Sequence, residues 1–443
     1  MMTQTRSACV AGLSLLILLI LLPRLGAAQE AHKFYTLHES VAEALTNSWD
    51  IRQIEERVFQ AEFLKKQARA DFLPKLGMDY TYLHSDEPQA YPTGGAGTLF
   101  VSTKDYYQWR GTVNQPIFTG FGLLSAYELA KLGIEQAQIQ LEQARLDLAL
   151  RVKQAYFDIL GADKAVEVAQ KDVEARDSNY KVASSFYKVG MIPINELLQA
   201  EVELANSKQA LVRAEIAAKT SRAAFNTVLA RPVNELFDIE DILTYKPSSG
   251  DYETFVREAL ANRPEIKAID NSLLRADQQI RLAKSKYYPE IALNYDYIKD
   301  GDSFDVSGFP GDEDTDEWEV TAVATWTFWQ WGKTYYSTKE QESAKNELFQ
   351  ARGALDDQIR LEVKQAVLSL EREEKNIPTT QKAVEQGEEN LRVSSERYKA
   401  QVTTITEVLD AQTRLSQARL NHYRALYDHN LARARLERAM GTY

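Results

Sequence analysis

The sequence has 443 residues, of which only 20 are glycine and 12 are proline, about 7% together against roughly 12% in average proteins. Few turns can be built, so the elements between them must be long. The formal net charge of −12 opposes a nucleic-acid partner, because a phosphate backbone requires a positive surface. The single cysteine, Cys9, excludes a disulfide framework and a cysteine-ligated metal site, since both need paired thiols.

The N-terminus has the pattern of a secretory signal peptide. Arg6 precedes an apolar run over residues 10–22 that Pro23 and Arg24 end, and the small residues 26–28 precede Gln29. A retained membrane anchor is the alternative, but it needs about 18 or more apolar residues, and this run is shorter. We therefore predict that residues 1–28 are removed by cleavage between Ala28 and Gln29, and that the mature chain is exported.

The chain repeats itself. Pro74 and Pro289 lie in similar segments and are 215 residues apart, whereas the similar motifs that begin at Tyr187 and Tyr398 are 211 residues apart. Because the offset changes by only four residues along the whole unit, we predict one architecture built twice. The predicted units are a first structural repeat at residues 29–230, a linker at 231–252 and a second repeat at 253–443.

Each repeat begins with a helical stretch and continues with a β-hairpin. The helical stretches, residues 37–72 and 255–287, end before a proline, which restrains the residue ahead of it and lacks an N–H. Alternation of apolar and polar residues then predicts hairpins at 75–117 and 290–329, the second continuing through Phe328. The register of the second strand in each hairpin stays open by one residue.

Two long helical hairpins follow, at residues 123–230 and 333–440. A helix over residues 123–189 has 67 residues and would extend about 100 Å, far more than a globular core needs. Apolar side chains step along it by three or four residues, which is typical of a coiled-coil seam. These positions are Ala137, Leu141, Ala144, Leu148, Val152, Ala155 and Ile159.

The four strands favour a membrane barrel. Each has about ten residues, which is enough to cross a bilayer when tilted, with one apolar and one polar face. A half-buried sheet in a soluble sandwich is the alternative, and the signal peptide and neighbouring helices argue against it. Two unpaired sheet edges cannot face lipid, and three chains would give twelve strands, the smallest multiple expected to conduct. An interfacial aromatic belt is predicted at Phe118, Phe121, Trp326, Phe328, Trp329 and Trp331.

The duplicated unit, together with QPIFTGFG, YKVGMIPINELLQAE and YKAQVTTITEVLDAQ, resembles the TolC family of outer membrane efflux proteins over nearly the whole mature chain. The resemblance implies a mainly α-helical fold with a membrane β-barrel: a homotrimer with a twelve-strand barrel in the outer membrane of a Gram-negative cell, in contact with lipid, and a periplasmic α-barrel of coiled-coil helices. It implies two partners, a periplasmic adaptor (membrane fusion) protein and an inner-membrane transporter, in tripartite efflux or type I secretion. No catalysis and no cofactor are implied.

The resemblance also implies a gate at the inner tip. Glu407 and Asp410, three residues apart on one helix face, match the acidic ring that narrows the aperture, although Glu407 also fits a capping box that begins at Thr404. Tyr398 and Glu196 match positions that tie neighbouring helices shut. A basic residue often present in the second turn is replaced by Thr403. The closing ion pair is therefore in doubt, and hydrogen bonds are expected to hold the closed state.

The two tip turns are the expected docking sites for the adaptor. The first contains Gly190, Met191 and Pro193, and the second contains Gln401, which replaces the glycine, and Val402. His422, His429 and the acidic segment 301–317 show no ligand spacing and are interpreted as packing residues and a solvated loop. The predicted function is an outer membrane exit channel for small toxic compounds or secreted protein. The alternative is a soluble periplasmic coiled-coil scaffold or pump adaptor.

Overall fold

The computed structural model describes residues 33–87, 90–92, 98–100, 103–247, 250–309 and 316–443. The predicted signal peptide and its cleavage site at Ala28 and Gln29 lie outside the described residues. The chain order is β1 (Lys33–Tyr35), α1 (Leu37–Asn47), α2 (Trp49–Ala70), β2 (Lys75–His84), β3 (Ala90–Pro92), β4 (Thr98–Phe100), β5 (Asp105–Thr119), α3 (Gly122–Lys188), α4 (Ile194–Val228), β6 (Phe237–Ile239), α5 (Tyr252–Asn262), α6 (Pro264–Ser285), β7 (Glu290–Gly301), β8 (Asp316–Thr325), α7 (Lys333–Lys399) and α8 (Ile405–Ala439).

The two long hairpins agree with their predicted bounds to within two residues, and α3 agrees with its predicted bounds to within one residue at each end. Both α3 and α7 have 67 residues, and both α4 and α8 have 35. Pro378 lies inside α7 without ending it. The helical stretch predicted at the start of each repeat is instead two helices, because Ser48 and Arg263 take extended ψ angles of 131° and 127° and Pro264 begins a new helix.

A four-stranded antiparallel sheet with the order β2-β5-β7-β8 joins the two predicted hairpins. Tyr80 pairs with Trp109, and Tyr295 pairs with both Val113 and Val320, so the apolar residues of all four strands share one face. This register confirms the predicted grouping of apolar and polar faces.

The second predicted hairpin is too long at its end. Strand β8 ends at Thr325, so Trp326 and Phe328 do not continue the alternation. The indole Nε1 of Trp326 donates to the carbonyl of Tyr287 at 3.2 Å instead, which draws the chain toward the end of α6. The alternating pattern was right for the strand and wrong for the segment after it, since apolar alternation at a strand end does not specify its pairing.

The helices next to the sheet follow the order of the strands. Helix α2 packs against α3, α3 against α6, and α6 against α7, while the strands attached to them run β2, β5, β7 and β8. Farther from the sheet, α4 packs on α3, and α8 packs on both α3 and α7. The order of the helices is therefore the same as the order of the strands that are joined to them. Together the described strands and helices form one strip, which has an open lateral edge on either side.

The long helices are held together by the predicted seam. Leu148, Val152 and Ile159 of α3 are fully or almost fully buried, and Tyr35, Ile377 and Leu426 belong to the same apolar cluster. The hydroxyl of Tyr156 lies 3.1 Å from the carbonyl of Tyr35 and 2.8 Å from that of Glu240. Burial raises the pKa of Tyr156, and these contacts satisfy its buried hydroxyl.

Among the described helices, none is both long enough and apolar enough to cross a membrane.

Candidate functional site at the helix tips

Both tip turns end their helices in the same way. Met191 N–H donates to Phe186 and Gly190 N–H to Tyr187, each at 2.9 Å, and the second turn repeats this pattern with Val402 and Gln401. This is a Schellman motif, which requires a left-handed residue after the helix. Gly190 has φ +76° and Gln401 has φ +62°. The glutamine at the second tip therefore occupies a conformation that favours glycine.

Glu407 is bound by three side chains from its own helical hairpin. Arg397 Nη1 donates to Glu407 Oε1 at 2.9 Å, Thr403 donates to Oε2, and Ser394 donates to Oε1 at 3.4 Å. The hydrogen bond from Thr403 and then the charge of Arg397 lower the pKa of Glu407. The predicted capping box is wrong, because Thr404 caps the helix without a side-chain hydrogen bond and the Glu407 carboxylate points to these three partners.

Glu196 and Tyr398 lie at the contact between the two tips, but the structure does not join them by a hydrogen bond. Glu196 Oε2 accepts from the backbone N–H of Ile405 at 3.3 Å, which links α4 to the start of α8. The Tyr398 ring is buried 5.7 Å from the ring of Phe186, and its hydroxyl has no hydrogen-bond partner among the described residues. Burial, followed by the charge of Glu196, raises the pKa of Tyr398 to about 12.

Asp410 differs from Glu407 in having an exposed carboxylate. It lies one turn farther along α8, and in the described part of the chain it forms no ion pair or hydrogen bond through its side chain. The tip therefore has one carboxylate that is held by three side chains and one that has no side-chain partner among the described residues. No cluster of histidine, cysteine and carboxylate side chains suited to a metal ion occurs among the described residues.

A polar network behind the tip was missed by the sequence analysis. Arg176 of α3 is buried and donates to Asp172 at 2.7 Å, to Glu203 of α4 at 2.6 Å and to Thr413 of α8 at 3.0 Å. Asp172 also accepts from Gln412 at 2.9 Å. The i,i+4 spacing of Asp172 and Arg176 was visible in the sequence, but such a pair usually lies on a solvated face. The network ties three helices together.

The six residues predicted to form an aromatic belt lie where the strands meet the helices. More than half of the surface of each of five of them is exposed: Phe121, Trp326, Phe328, Trp329 and Trp331. Phe118 is partly buried and packs edge-on against Phe121, with ring centroids 5.4 Å apart. Both strand-to-helix joints place two consecutive residues in the left-handed region, and each pair includes an aromatic. The pairs are Gly120 with Phe121 and Trp331 with Gly332.

The sequence model of the outer membrane efflux protein family matches residues 41–231 and 255–442. The chain belongs to this family. The two matched segments together cover most of the described chain, and the gap between them coincides with the predicted linker. Members of the family are channels rather than enzymes, and the protein is located in the outer membrane.

Individual relatives are distant. The chain is 20% identical over 429 residues to nodulation protein T of Rhizobium leguminosarum bv. trifolii, covering 91% of this chain and 84% of the relative. It is 23% identical over 327 residues to outer membrane protein TolC of Vibrio cholerae, covering 71% and 72%. Crystal structures of CusC match the fold with a TM-score of 0.77 and 16% identity, covering 92% of both chains. The fold is thus retained where most of the sequence has diverged.

Proposed function

We propose that three copies of this chain form an exit channel in the outer membrane, serving tripartite efflux or type I secretion. The observation that carries the proposal is the strip of matching strands and helices, β2-β5-β7-β8 and α2-α3-α6-α7, with both lateral edges open. Three strips joined edge to edge give twelve strands and a continuous ring of helices. The resulting duct is passive and carries no catalytic step.

The free edges of the strip support closure by further copies. Strands β2 and β8 each have one unpaired side within the described chain, and lipid offers no hydrogen bonds to satisfy it. Large apolar side chains are also exposed on α2, α4 and α7. They are Phe59 and Phe63 on α2, Val212 and Ile216 on α4, and Phe349 and Leu361 on α7. Such unpartnered apolar surface is typical of an obligate interface.

The helix tips form the proposed gate. Glu407 and Asp410 from three chains would place six carboxylates around the aperture, favouring cations. The contacts of Glu196 with Ile405 and of Thr406 with Gln199, at 3.3 and 3.0 Å, hold the second tip against the first. Opening would be an iris-like movement of α7 and α8 away from α4. A periplasmic adaptor would dock at the two tip turns, and an inner-membrane transporter would supply the energy and choose the cargo.

A periplasmic scaffold or pump adaptor is the competing function. Such a protein would not need four antiparallel strands with one apolar face, nor exposed aromatic rings where the strands meet the helices. The aromatic residues would expose apolar surface to water without benefit in that setting. The geometry therefore favours the channel.

The decisive experiment is to express the full chain with its signal peptide and to separate outer membrane from periplasm. We expect a trimer in the outer membrane fraction whose electrophoretic migration changes on heating, and ion conductance after insertion into planar bilayers. A monodisperse periplasmic monomer without conductance would overturn the proposal and support the scaffold.

A further inference from the structure

A groove opens beside the end of the sheet, between the start of α3 and the end of α6. It has a volume of about 540 Å³. Phe121 and Tyr288 form an aromatic wall next to the sheet, and Arg281 and Lys284 form a basic wall farther along the helices. Neither the gate nor the docking turns use this groove.

The aromatic wall is continuous with the apolar face of the sheet. Phe118 pairs with Ile291 of β7, which belongs to that face. The ring of Phe118 lies 5.4 Å from that of Phe121 and 6.4 Å from that of Tyr288. The groove therefore lies on the side that faces lipid in the proposed barrel, at the level where the sheet ends.

The backbone conformation of Phe121 leaves its aromatic ring exposed at the end of the sheet. Phe121 has φ +69°, a conformation that a bulky side chain rarely adopts, and its ring is 56% exposed. Gly120 before it has φ +61°, and a Cβ at that position would lie 2.3 Å from the carbonyl oxygen of Ser285. The close approach of α3 to α6 fixes this turn. Strain that presents an exposed aromatic ring points to a binding role rather than to packing.

The basic wall carries charge that the protein itself leaves largely unneutralised. Across the part of the chain that the structure describes, Arg281 forms no ion pair, and the only carboxylate paired with Lys284 is that of Glu342, at 3.7 Å. Glu128, the one acidic residue lining the groove, is paired with Lys131 at 3.3 Å. Helix α6 ends at Ser285, so Arg281 and Lys284 lie in its last two turns, ahead of Tyr288 and the sheet in the chain. Basic side chains next to an interfacial aromatic ring, on the side of the helices, lie in the headgroup region of a bilayer.

We propose that this groove binds the phosphate headgroup of an anionic phospholipid from the leaflet next to the helices. Arg281 and Lys284 bind the phosphodiester, and Phe121 and Tyr288 flank the glycerol and the first methylenes of the acyl chains. The inference rests on the proposed barrel. Because α3 and α6 are the two middle helices of the strip, copies that cover the α2 and α7 edges leave the groove open.

The test is native mass spectrometry of the full-length protein in detergent, titrated with phosphatidylglycerol. We expect up to one tightly held lipid per chain. The Arg281→Gln/Lys284→Gln variant should bind at least tenfold more weakly, and Arg281→Lys should keep most of the affinity. The matched control is Lys181→Gln/Lys382→Gln, which removes the same charge at two exposed positions far from the groove and should bind as the wild type does.

Three results would overturn the inference. Equal lipid binding by the groove variant and the control variant is one. A second is displacement of the lipid by an equal concentration of inorganic phosphate, which would define a small-anion site. The third is a wild-type trimer that conducts ions but binds no lipid. That result would overturn the lipid site and leave the proposed channel function standing. A wild-type protein that neither trimerises nor conducts would overturn the proposed function itself.

Discussion

Arg397 Nη1 lies 2.9 Å from Glu407 Oε1, so the last turn of α7 is joined by an ion pair to the first turn of α8. The sequence analysis placed the closing ion pair in doubt because Thr403 replaces a basic residue. In the structure Thr403 binds the same carboxylate as a hydroxyl donor, and the cation comes from Arg397 instead. This pair stiffens the second tip, whereas the link to α4 is the hydrogen bond from the Ile405 N–H to Glu196. Whether these contacts set the aperture is open to direct measurement.

Removing the acidic groups at the tip should change conduction. We expect the Glu407→Ala/Asp410→Ala variant to show roughly twofold higher single-channel conductance and a weaker cation preference, because the aperture loses charge and side-chain volume. Planar-bilayer recordings at low salt measure both quantities. The control is Glu385→Ala/Glu389→Ala, which removes two carboxylates that pair with Lys382 and Arg392 on α7 itself. Unchanged conductance and selectivity in the tip variant would reject these residues as the constriction.

The network behind the tip should contribute strongly to stability. Arg176→Met leaves Asp172 and Glu203 without their cation in a poorly solvated position, which we expect to cost about 3 kcal/mol. Lys181→Met, five residues farther along α3, removes an exposed pair with Asp177 and should cost less than about 0.5 kcal/mol. Thermal unfolding followed by helical circular dichroism compares the two variants. Equal midpoints for both would contradict a clamping role for the Arg176 network.

Two glycines in open space should respond to alanine with opposite signs. A Cβ would meet nothing within 4 Å at either Gly190 or Gly353, but only Gly190 has a positive φ. We expect Gly190→Ala to destabilise by about 1 kcal/mol and Gly353→Ala, inside α7, to stabilise by about 1 kcal/mol. Gln401→Gly should stabilise the second tip for the same reason that Gly190→Ala weakens the first. If both alanine variants changed the free energy of unfolding in the same direction, the backbone φ angle would not explain the effect of alanine at these two positions.

An ion-pair cluster near the end of α8 should make stability depend on acid pH. Burial disfavours the charged form of Glu265, but hydrogen bonds from Arg263 and Arg438, at 3.1 and 2.8 Å, outweigh it and lower the pKa of Glu265 to about 2. Because this pKa is lowered on folding, the stabilisation is complete above the ordinary value near 4.5 and is lost as pH falls toward 2.

Glu265→Gln should therefore destabilise by about 3 kcal/mol at pH 7. The difference in unfolding midpoint between wild type and variant should narrow steadily from pH 5 to pH 3. Glu389→Gln, which breaks an exposed pair with Arg392 on α7, is the control and should show little difference at any pH. A difference in unfolding midpoint between wild type and Glu265→Gln that stays constant with pH would argue against an ionised carboxylate in the cluster.

The sequence by itself determined the kinds of elements, their order and most of their boundaries. Both ends of α3 and the start of α7 were predicted to within one residue because breakers and caps act locally, and Pro74 and Pro289 stop the first helical stretches for the same reason. Alternation in the strands also identified the apolar face. These features depend on residues a few positions apart, whose preferences a sequence displays directly.

Only the tertiary structure decided which side chains meet. Arg176 and Thr413 are 237 residues apart, and no local pattern shows that α8 brings them within 3.0 Å. The partner of Glu407 was misjudged because the turn between α7 and α8 places Arg397, rather than Thr404, beside the carboxylate. The groove between α3 and α6 likewise exists only because two segments distant in the chain pack side by side. Such contacts depend on how whole helices are aligned, which is set by the sum of many weak packing terms rather than by any short motif.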